Sequence, residues 1–377
     1  MDFALSEEQE MFRGYLRKYL DDVGQTKVAR EFINGNIEGL KSTLTGLAEL
    51  GCTGINISER YGGLGLGTLD LVPVFEEIGR VLLPGIYLET MALAVPLLER
   101  YGTEEQKDRY LPEIAAGSRS VTLAWLEPNG GYSPNEVNCI ARTKGNSLVI
   151  DGVKTLVPEG DFADTYLLLV RTSDGNDGAD LSLVLVDRTA DVEIRQQQCI
   201  DETKHLTELT FNQVEVSKQQ LLGQMDQGWS ILQEGLLYLN AALSSMMVGG
   251  MEKVVAMSTE YAKVREQFGQ AIGRFQAIKH KIVDMKLELE TARSLSYYAN
   301  WALDSEEKDR EATIYSARSF ATNAYMDVAS HNIQIHGGIG FSEEIDCHLY
   351  LKRARYFENY LGSTNHYNEQ IALALEW

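Results

Sequence analysis

Cationic side chains are scarce in this sequence: Lys and Arg total 34 against 55 Asp and Glu, a formal net charge of -21. So acidic a chain repels polyanions, which argues against nucleic acid or an anionic membrane as partner. Cysteine is scarce too. Cys52, Cys139, Cys199 and Cys347 stand far apart and form no CxxC, so no metal-ligand set is expected, and a reducing, cytoplasmic compartment is the simpler expectation. No stretch reaches the length of a membrane span. The opening MDFALSEEQE has neither a basic segment nor an apolar run, so no signal peptide is expected. Low-complexity segments and internal repeats are also missing. The glycines at 62, 63, 65 and 67 do not make GxGxxG and follow no strand, so they predict a loop and not a dinucleotide fingerprint.

What is present fits a soluble, multi-unit protein. The chain has 377 residues, 44% of them hydrophobic, too long for one ordinary core and suited to two or three packed units. Residues 1–119 read as helical. Ser6 with Gln9 and Thr103 with Gln106 form capping boxes, and Gly117 is a helix stop. Met11, Tyr15 and Tyr19 recur at helical spacing and predict the buried face of the first helix. Leu69–Ile78 and Met91–Leu98 are further helix candidates.

Residues 120–222 change to strands. Short apolar runs at Val121–Trp125, Ser147–Ile150, Tyr166–Val170 and Leu181–Val186 are separated by Asn129-Gly130-Gly131, Asp151-Gly152 and the acidic turn Asp174-Gly175-Asn176-Asp177-Gly178. Glu208–Val216 alternates as a last strand. This spacing predicts a compact antiparallel β domain. Residues 223–377 return to helix, with Trp229, Leu232, Leu236, Leu239, Leu243, Met247, Met251 and Val254 along one face of a bundle-length helix. Ile272–Ala299, Glu311–Ile335 and Ser363–Leu375 continue the pattern. The Met246-Met247 pair and Met251 read as core.

Tyr261–Met285 carries the chemistry. It predicts a helix end, a short turn through Phe268-Gly269, and a new helix from Phe275-Gln276. Arg265 at that turn suits a pyrophosphate, because a guanidinium gives phosphate two parallel N–H bonds. A surface arginine in a helical hairpin is the plainer alternative.

The pattern RxQFGxxIxxFQxxxHKxxDM, followed by Gln334-Ile335-His336-Gly337-Gly338-Ile339-Gly340-Phe341 and preceded by Tyr61-Gly62-Gly63-Leu64-Gly65 with Glu76-Glu77, resembles the acyl-CoA dehydrogenase family. The resemblance spans nearly the whole chain. It implies an α+β, three-domain fold: an N-terminal helical domain, a middle β-barrel or sandwich, and a C-terminal four-helix bundle. It also implies FAD as cofactor and oxidation of an acyl-CoA thioester to the 2,3-enoyl form, in which a carboxylate takes the α proton while a hydride leaves for the flavin. A homo- or heterotetramer and an electron-transfer flavoprotein as acceptor are further implications.

The family's cofactor contacts map onto Arg265, Phe268, Gln276, Gln334, Gly337 and Gly338, which in the family reach across to a neighbouring subunit's FAD, and onto Ser363 and Asn365. Other positions depart from the pattern. The family's Thr-Glu-Pro reads Leu126-Glu127-Pro128, with Ser133 one place late. Its Trp-Ile-Thr reads Leu156-Val157-Pro158, losing the indole and the hydroxyl. Its Tyr-Glu-Gly-Thr reads Tyr360-Leu361-Gly362-Ser363, so the usual base is a leucine. The alternative base position on the long helix falls at Leu239, beside Asn240. No catalytic residue is therefore assigned, and Glu234 and Glu252 read as ordinary helix residues. A kept cofactor clasp beside a lost base resembles the subunits of heteromeric acyl-CoA dehydrogenases that act on steroid side chains and other bulky thioesters.

Overall fold

Ser6 and Thr103 each accept a hydrogen bond from the N–H three residues on and receive the reciprocal glutamine, so both capping boxes form. The computed structural model describes residues 4–173, 178–305 and 307–377; the turn expected at Asp174-Gly175-Asn176-Asp177 lies outside them. The helices run α1 (Glu7–Asp22), α2 (Lys27–Ile33), α3 (Glu38–Glu49), α4 (Val72–Arg80), and α5 (Tyr87–Glu89), which passes through a π-turn at Thr90–Ala94 into α6 (Val95–Tyr101), then α7 (Glu104–Ala115). Strands follow: β1 (Val121–Ala124), β2 (Ile140–Lys144), β3 (Ser147–Pro158), β4 (Thr165–Arg171), β5 (Leu181–Asp187), β6 (Val192–Gln197), β7 (Leu206–Ser217) and β8 (Leu221–Leu222). Then come α8 (Gly228–Val264), a small hairpin of β9 (Glu266–Gln267) and β10 (Gln270–Ala271), α9 (Gln276–Asp304), α10 (Arg310–His336), α11 (Cys347–Asn359) and α12 (Thr364–Ala374).

By internal contacts the chain divides into two compact units. The first comprises the residues up to Thr43, then Thr68–Pro84 and Asn240–Trp377. Its core includes Leu16, Leu20, Phe75, Ile78, Met247, Met251, Met285, Leu289, Tyr325 and Tyr350. The methionines are core, as expected. The buried face of α1 is Leu16 and Leu20, not Met11 and Tyr15, which are exposed; both sets recur every four residues, and only packing decides between them. Helices α4 and α8 touch backbone to backbone through Gly79 and Gly249. A Cβ on Gly79 would strike the Met246 carbonyl, and one on Gly249 the Glu76 carbonyl.

The second unit comprises Leu44–Gly67 and Gly85–Leu239. Its sheet has the order β6-β7-β3-β2-β4-β5-β8, with β1 added beside β4. The expected antiparallel domain is corrected to a mixed one: β1 runs parallel to β4, and β2 joins β4 in parallel through Ile140 and Arg171. β4 and β5 are apolar runs buried on both faces, the pattern of central strands. β2 and β6 escaped the sequence reading because IARTK and VEIRQQ expose most of their length. The glycine-rich stretch is a loop, as expected. The N–H groups of Leu64, Gly65 and Leu66 donate to the carbonyls of Gly54, Ile57 and Ile55, so they serve the loop itself. Among the described residues no helix is long and apolar enough to cross a membrane.

Candidate functional site

α8 ends at Val264 and the chain turns through the β9–β10 hairpin, whose tip is Phe268-Gly269 at φ +53 and +76. Two consecutive left-handed residues match the twist of a tight hairpin, but the first is normally Asn, Asp or Gly. A phenylalanine there is strained, and its side chain is 93% exposed. Arg265 enters the hairpin exposed, and its guanidinium makes no hydrogen bond or ion pair among the described residues. Its backbone is fixed by Arg265 N–H to the Tyr261 carbonyl and Ile272 N–H to its own carbonyl, 2.9 and 2.8 Å. Gln276 opens α9 and is exposed.

The second motif lies at the end of α10. The rings of Tyr261 and His336 stack at 4.2 Å, and Ser258 donates to Asn332 at 2.7 Å, so the end of α8 is packed on the end of α10. Burial holds His336 below the usual histidine range, which keeps the ring neutral for stacking at pH 7. Gln334, Gly337 and Gly338 are exposed just beyond. Gly337 is left-handed at φ +65 with open space where a Cβ would be, so its backbone and not crowding requires glycine. Arg265, Phe268, Gln276, Gln334, Gly337 and Gly338 thus gather at one end of the first unit.

Ser363 and Asn365 do not join them. Ser363 caps α12, accepting from His366 N–H, and Asn365 is exposed in its first turn. Thr364 donates to Asn323 in α10 at 3.1 Å. Asn323 precedes Gln334 by eleven residues, about 16 Å along a helix. Ahead of the cap, Leu361 is left-handed at φ +55 and 6% exposed, and Gly362 follows at φ +138. The loop is held from beneath. Tyr367 donates its hydroxyl to the Leu361 carbonyl at 2.9 Å. Fully buried Arg318 donates to the carbonyls of Phe357 and Tyr360, 2.7 and 3.1 Å, and to the Asn240 side chain at 3.1 Å. Its guanidinium also lies 5.0 Å over the Tyr367 ring. Neither Arg318 nor Tyr367 was visible as functional in the sequence.

The two glutamates flanking Leu239 are engaged elsewhere. In the second unit Glu234 takes the Tyr101 hydroxyl and pairs with Arg100. In the first, Glu252 pairs with Arg17 at 2.6 Å and Arg293 at 2.7 Å. Leu239 itself is fully buried. Glu76 and Glu77, both buried, belong to the same network as Glu252: Glu77 takes Arg17 and Arg80, and Glu76 takes Arg13. Burial pushes Glu76 up to about 7, opposed by Arg293 and Arg13. This motif fastens α1 to α4, α8 and α9.

The second unit holds a separate cluster. Buried Lys154 bonds the Glu127 carboxylate at 2.7 Å and the Trp125 carbonyl at 3.1 Å. Glu127 also accepts the N–H groups of Asn138 and Cys139. Thr155 N–H donates to the Leu126 carbonyl at 2.8 Å, so the segments around 126 and 156 are tied side by side. Leu156 sits at φ +53 with its side chain 46% exposed. Ser133 caps a short turn and binds Asn135 N–H, so its hydroxyl has a local role. Leu156, Phe268 and Leu361 are each left-handed, and each occupies a position where the family resemblance places a cofactor contact or the base.

Three family models cover the chain in order: the acyl-CoA dehydrogenase N-terminal domain over 6–118, the middle domain over 122–214 and the C-terminal domain over 226–375. The mitochondrial isovaleryl-CoA dehydrogenase of Pongo abelii is 30% identical over 96% of this chain and 87% of its own. The structure of butyryl-CoA dehydrogenase from Megasphaera elsdenii superposes with a TM-score of 0.94 at 25% identity, covering 100% of both chains. The FAD complex of PigA superposes with a TM-score of 0.92 at 25% identity, over 100% of this chain and 99% of that one. The chain belongs to the acyl-CoA dehydrogenase family and has its fold, a helical N-terminal region, a middle β region and a helical C-terminal region.

Proposed function

We propose that this chain is an FAD-binding acyl-CoA dehydrogenase-family flavoprotein that takes part in α,β-dehydrogenation of an acyl-CoA thioester, with the proton-abstracting group supplied from outside the two positions where the family carries it. Bound FAD supplies the hydride acceptor. Exposed Arg265, Phe268, Gln276 and Gln334 and the open backbone at Gly337-Gly338 fit a dinucleotide carried by a second subunit. Ser363 and Asn365 are assigned to the cofactor as well.

The observation that carries the missing base is Leu361: it is buried on a left-handed backbone and ends in a methyl fork that accepts no proton. Leu239 offers nothing in its place, and Glu234 and Glu252 are bound to arginines. Loss of a general base typically costs about 10²–10⁴ in rate. A second reading has its own support. Leu126, Leu156 and Pro158 give the flavin neither a hydroxyl nor an indole, which favours a partner subunit that completes the FAD site of a similar, glutamate-bearing chain in a heterotetramer. Resemblance points such an assembly to steroid or other bulky thioesters in lipid catabolism, with an electron-transfer flavoprotein as acceptor, and the few scattered cysteines point to the cytoplasm.

Purifying the chain alone and together with a family member that carries the glutamate tests both readings. Flavin absorbance in the chain alone is expected, and Arg265→Ala should weaken FAD retention about tenfold, one charge-assisted contact. Absorbance that appears only in the mixture selects the partner reading. A chain that stays colourless in both preparations would falsify the FAD assignment.

A further inference from the structure

In the second unit the strained bulge at Leu156 is held by a residue that belongs to none of the motifs. β3 and β7 pair on either side of it, but the register shifts between Lys154 and Val157, and neither Thr155 nor Leu156 has a ladder partner on β7. A leucine in the left-handed region is disfavoured by its Cβ. With its side chain 46% exposed, packing offsets little of that strain.

Gln197, the last residue of β6, meets both vacant positions. Its Oε1 accepts Leu156 N–H at 2.9 Å, and its Nε2 donates to Thr155 Oγ1 at 2.8 Å. Both ends of one amide are in use, so its orientation is set by its partners. From the other side, Thr155 N–H holds the Leu126 carbonyl and Lys154 holds Trp125 and Glu127. Residues 155 and 156 are therefore gripped from β6 on one side and from the segment that leads into Glu127-Pro128 on the other. Strain persists where its surroundings over-determine it, and bulges re-aim side chains next to functional sites.

We propose that Gln197 is a positioning residue for the flavin: it fixes the Thr155-Leu156 bulge so that the leucine side chain and adjacent backbone form a preset apolar rest for the isoalloxazine ring. This rests on the FAD reading above. Leucine stands where the family has an indole, so less contact area is available and placement of what remains matters more. Gln197→Ala removes both bonds. Gln197→Glu keeps an acceptor for Leu156 N–H and loses the donor to Thr155.

Three measurements on the full chain test the role: hydrogen exchange at the Leu156 amide without cofactor, FAD affinity, and the visible spectrum of bound FAD. In Gln197→Ala the amide should lose protection, the Kd for FAD should rise about fivefold, the equivalent of one net hydrogen bond, and the flavin band should shift. Gln197→Glu should keep the amide protection and fall between wild type and alanine in affinity. The melting temperature without cofactor should change little in either. Unchanged affinity and spectrum in Gln197→Ala would overturn the inference and leave the FAD reading intact. So would an affinity loss matched by a fall in melting temperature without cofactor, which marks a purely structural role. Absence of FAD binding by the wild-type chain would remove both.

Discussion

Phe268 and Leu361 have nearly the same φ, +53 and +55, and each precedes a glycine of positive φ, yet one residue is 93% exposed and the other 6%. At Leu361 the strain is met from within: Tyr367 bonds its carbonyl, and Arg318 bonds the carbonyls of Phe357 and Tyr360. At Phe268 the edge of Phe275, 6.1 Å away, is the one ring contact among the described residues. Leu361 is thus balanced by neighbours of the same chain, whereas Phe268 stays exposed. The motif hides that difference, since both positions look equally functional in it; a docking role at 268 belongs to the proposed FAD reading.

The most severe way to break the comparison is Arg318→Met. It leaves the carbonyls of Phe357 and Tyr360 and the Asn240 oxygen without their buried donor, which should cost about 3–5 kcal/mol in urea unfolding. A loss under about 1 kcal/mol would mean that the loop at Leu361 is not held from beneath.

Glu76 sharpens the comparison, since it is a buried charge balanced internally by Arg13 and Arg293. Its folded value, about 7, lies above the ordinary carboxylate value that applies unfolded. Its contribution to stability is therefore fully present below about 4.5 and fades as the pH rises through about 7. Between those limits the fading amounts to roughly 2–3 kcal/mol. Glu76→Gln should flatten this part of the stability–pH curve, read by unfolding midpoints from pH 5 to 8. An unaltered slope would show that the burial effect on Glu76 is already cancelled by its arginines.

The sequence made the outline legible where local chemistry decides it. Ser6 with Gln9, Thr103 with Gln106, Gly117 and Phe268-Gly269 are short-range signals, and each gives the expected cap, stop or turn. The long apolar face of α8 is legible for the same reason. Met11 and Tyr15 misled because two apolar stripes share the period of α1, and the choice between them belongs to the tertiary fold. β2 and β6 carry polar, half-exposed residues and leave no pattern. Of the candidate site, the residues that stand in contiguous motifs could be named from the sequence, and the structure places Arg265, Phe268, Gln276, Gln334, Gly337 and Gly338 at one end of the first unit. Gln197, Arg318 and Tyr367 were not: each bonds a backbone group, which has no letter in the sequence, and for Gln197 and Arg318 that group lies about forty residues away. The absence of a carboxylate at 361 was plain from one letter; the left-handed backbone there was not.

The smallest expected effect on stability is also the sharpest test of the exposed half. Phe268→Gly relieves left-handed strain of about 1–2 kcal/mol. It adds a backbone-entropy penalty of about 0.5–1 kcal/mol and loses an edge contact with Phe275 of about 0.5 kcal/mol or more. These nearly cancel, so the unfolding free energy of the isolated chain should move by less than about 0.5 kcal/mol. If Phe268 reaches a second subunit's cofactor, FAD retention should nevertheless fall about tenfold, the equivalent of a buried aromatic contact. Equal retention with unchanged stability would make the tip a tolerated surface feature and remove the docking role. A large loss of stability would show that the single chain does use the ring, and the contrast with Leu361 would then collapse from the other side.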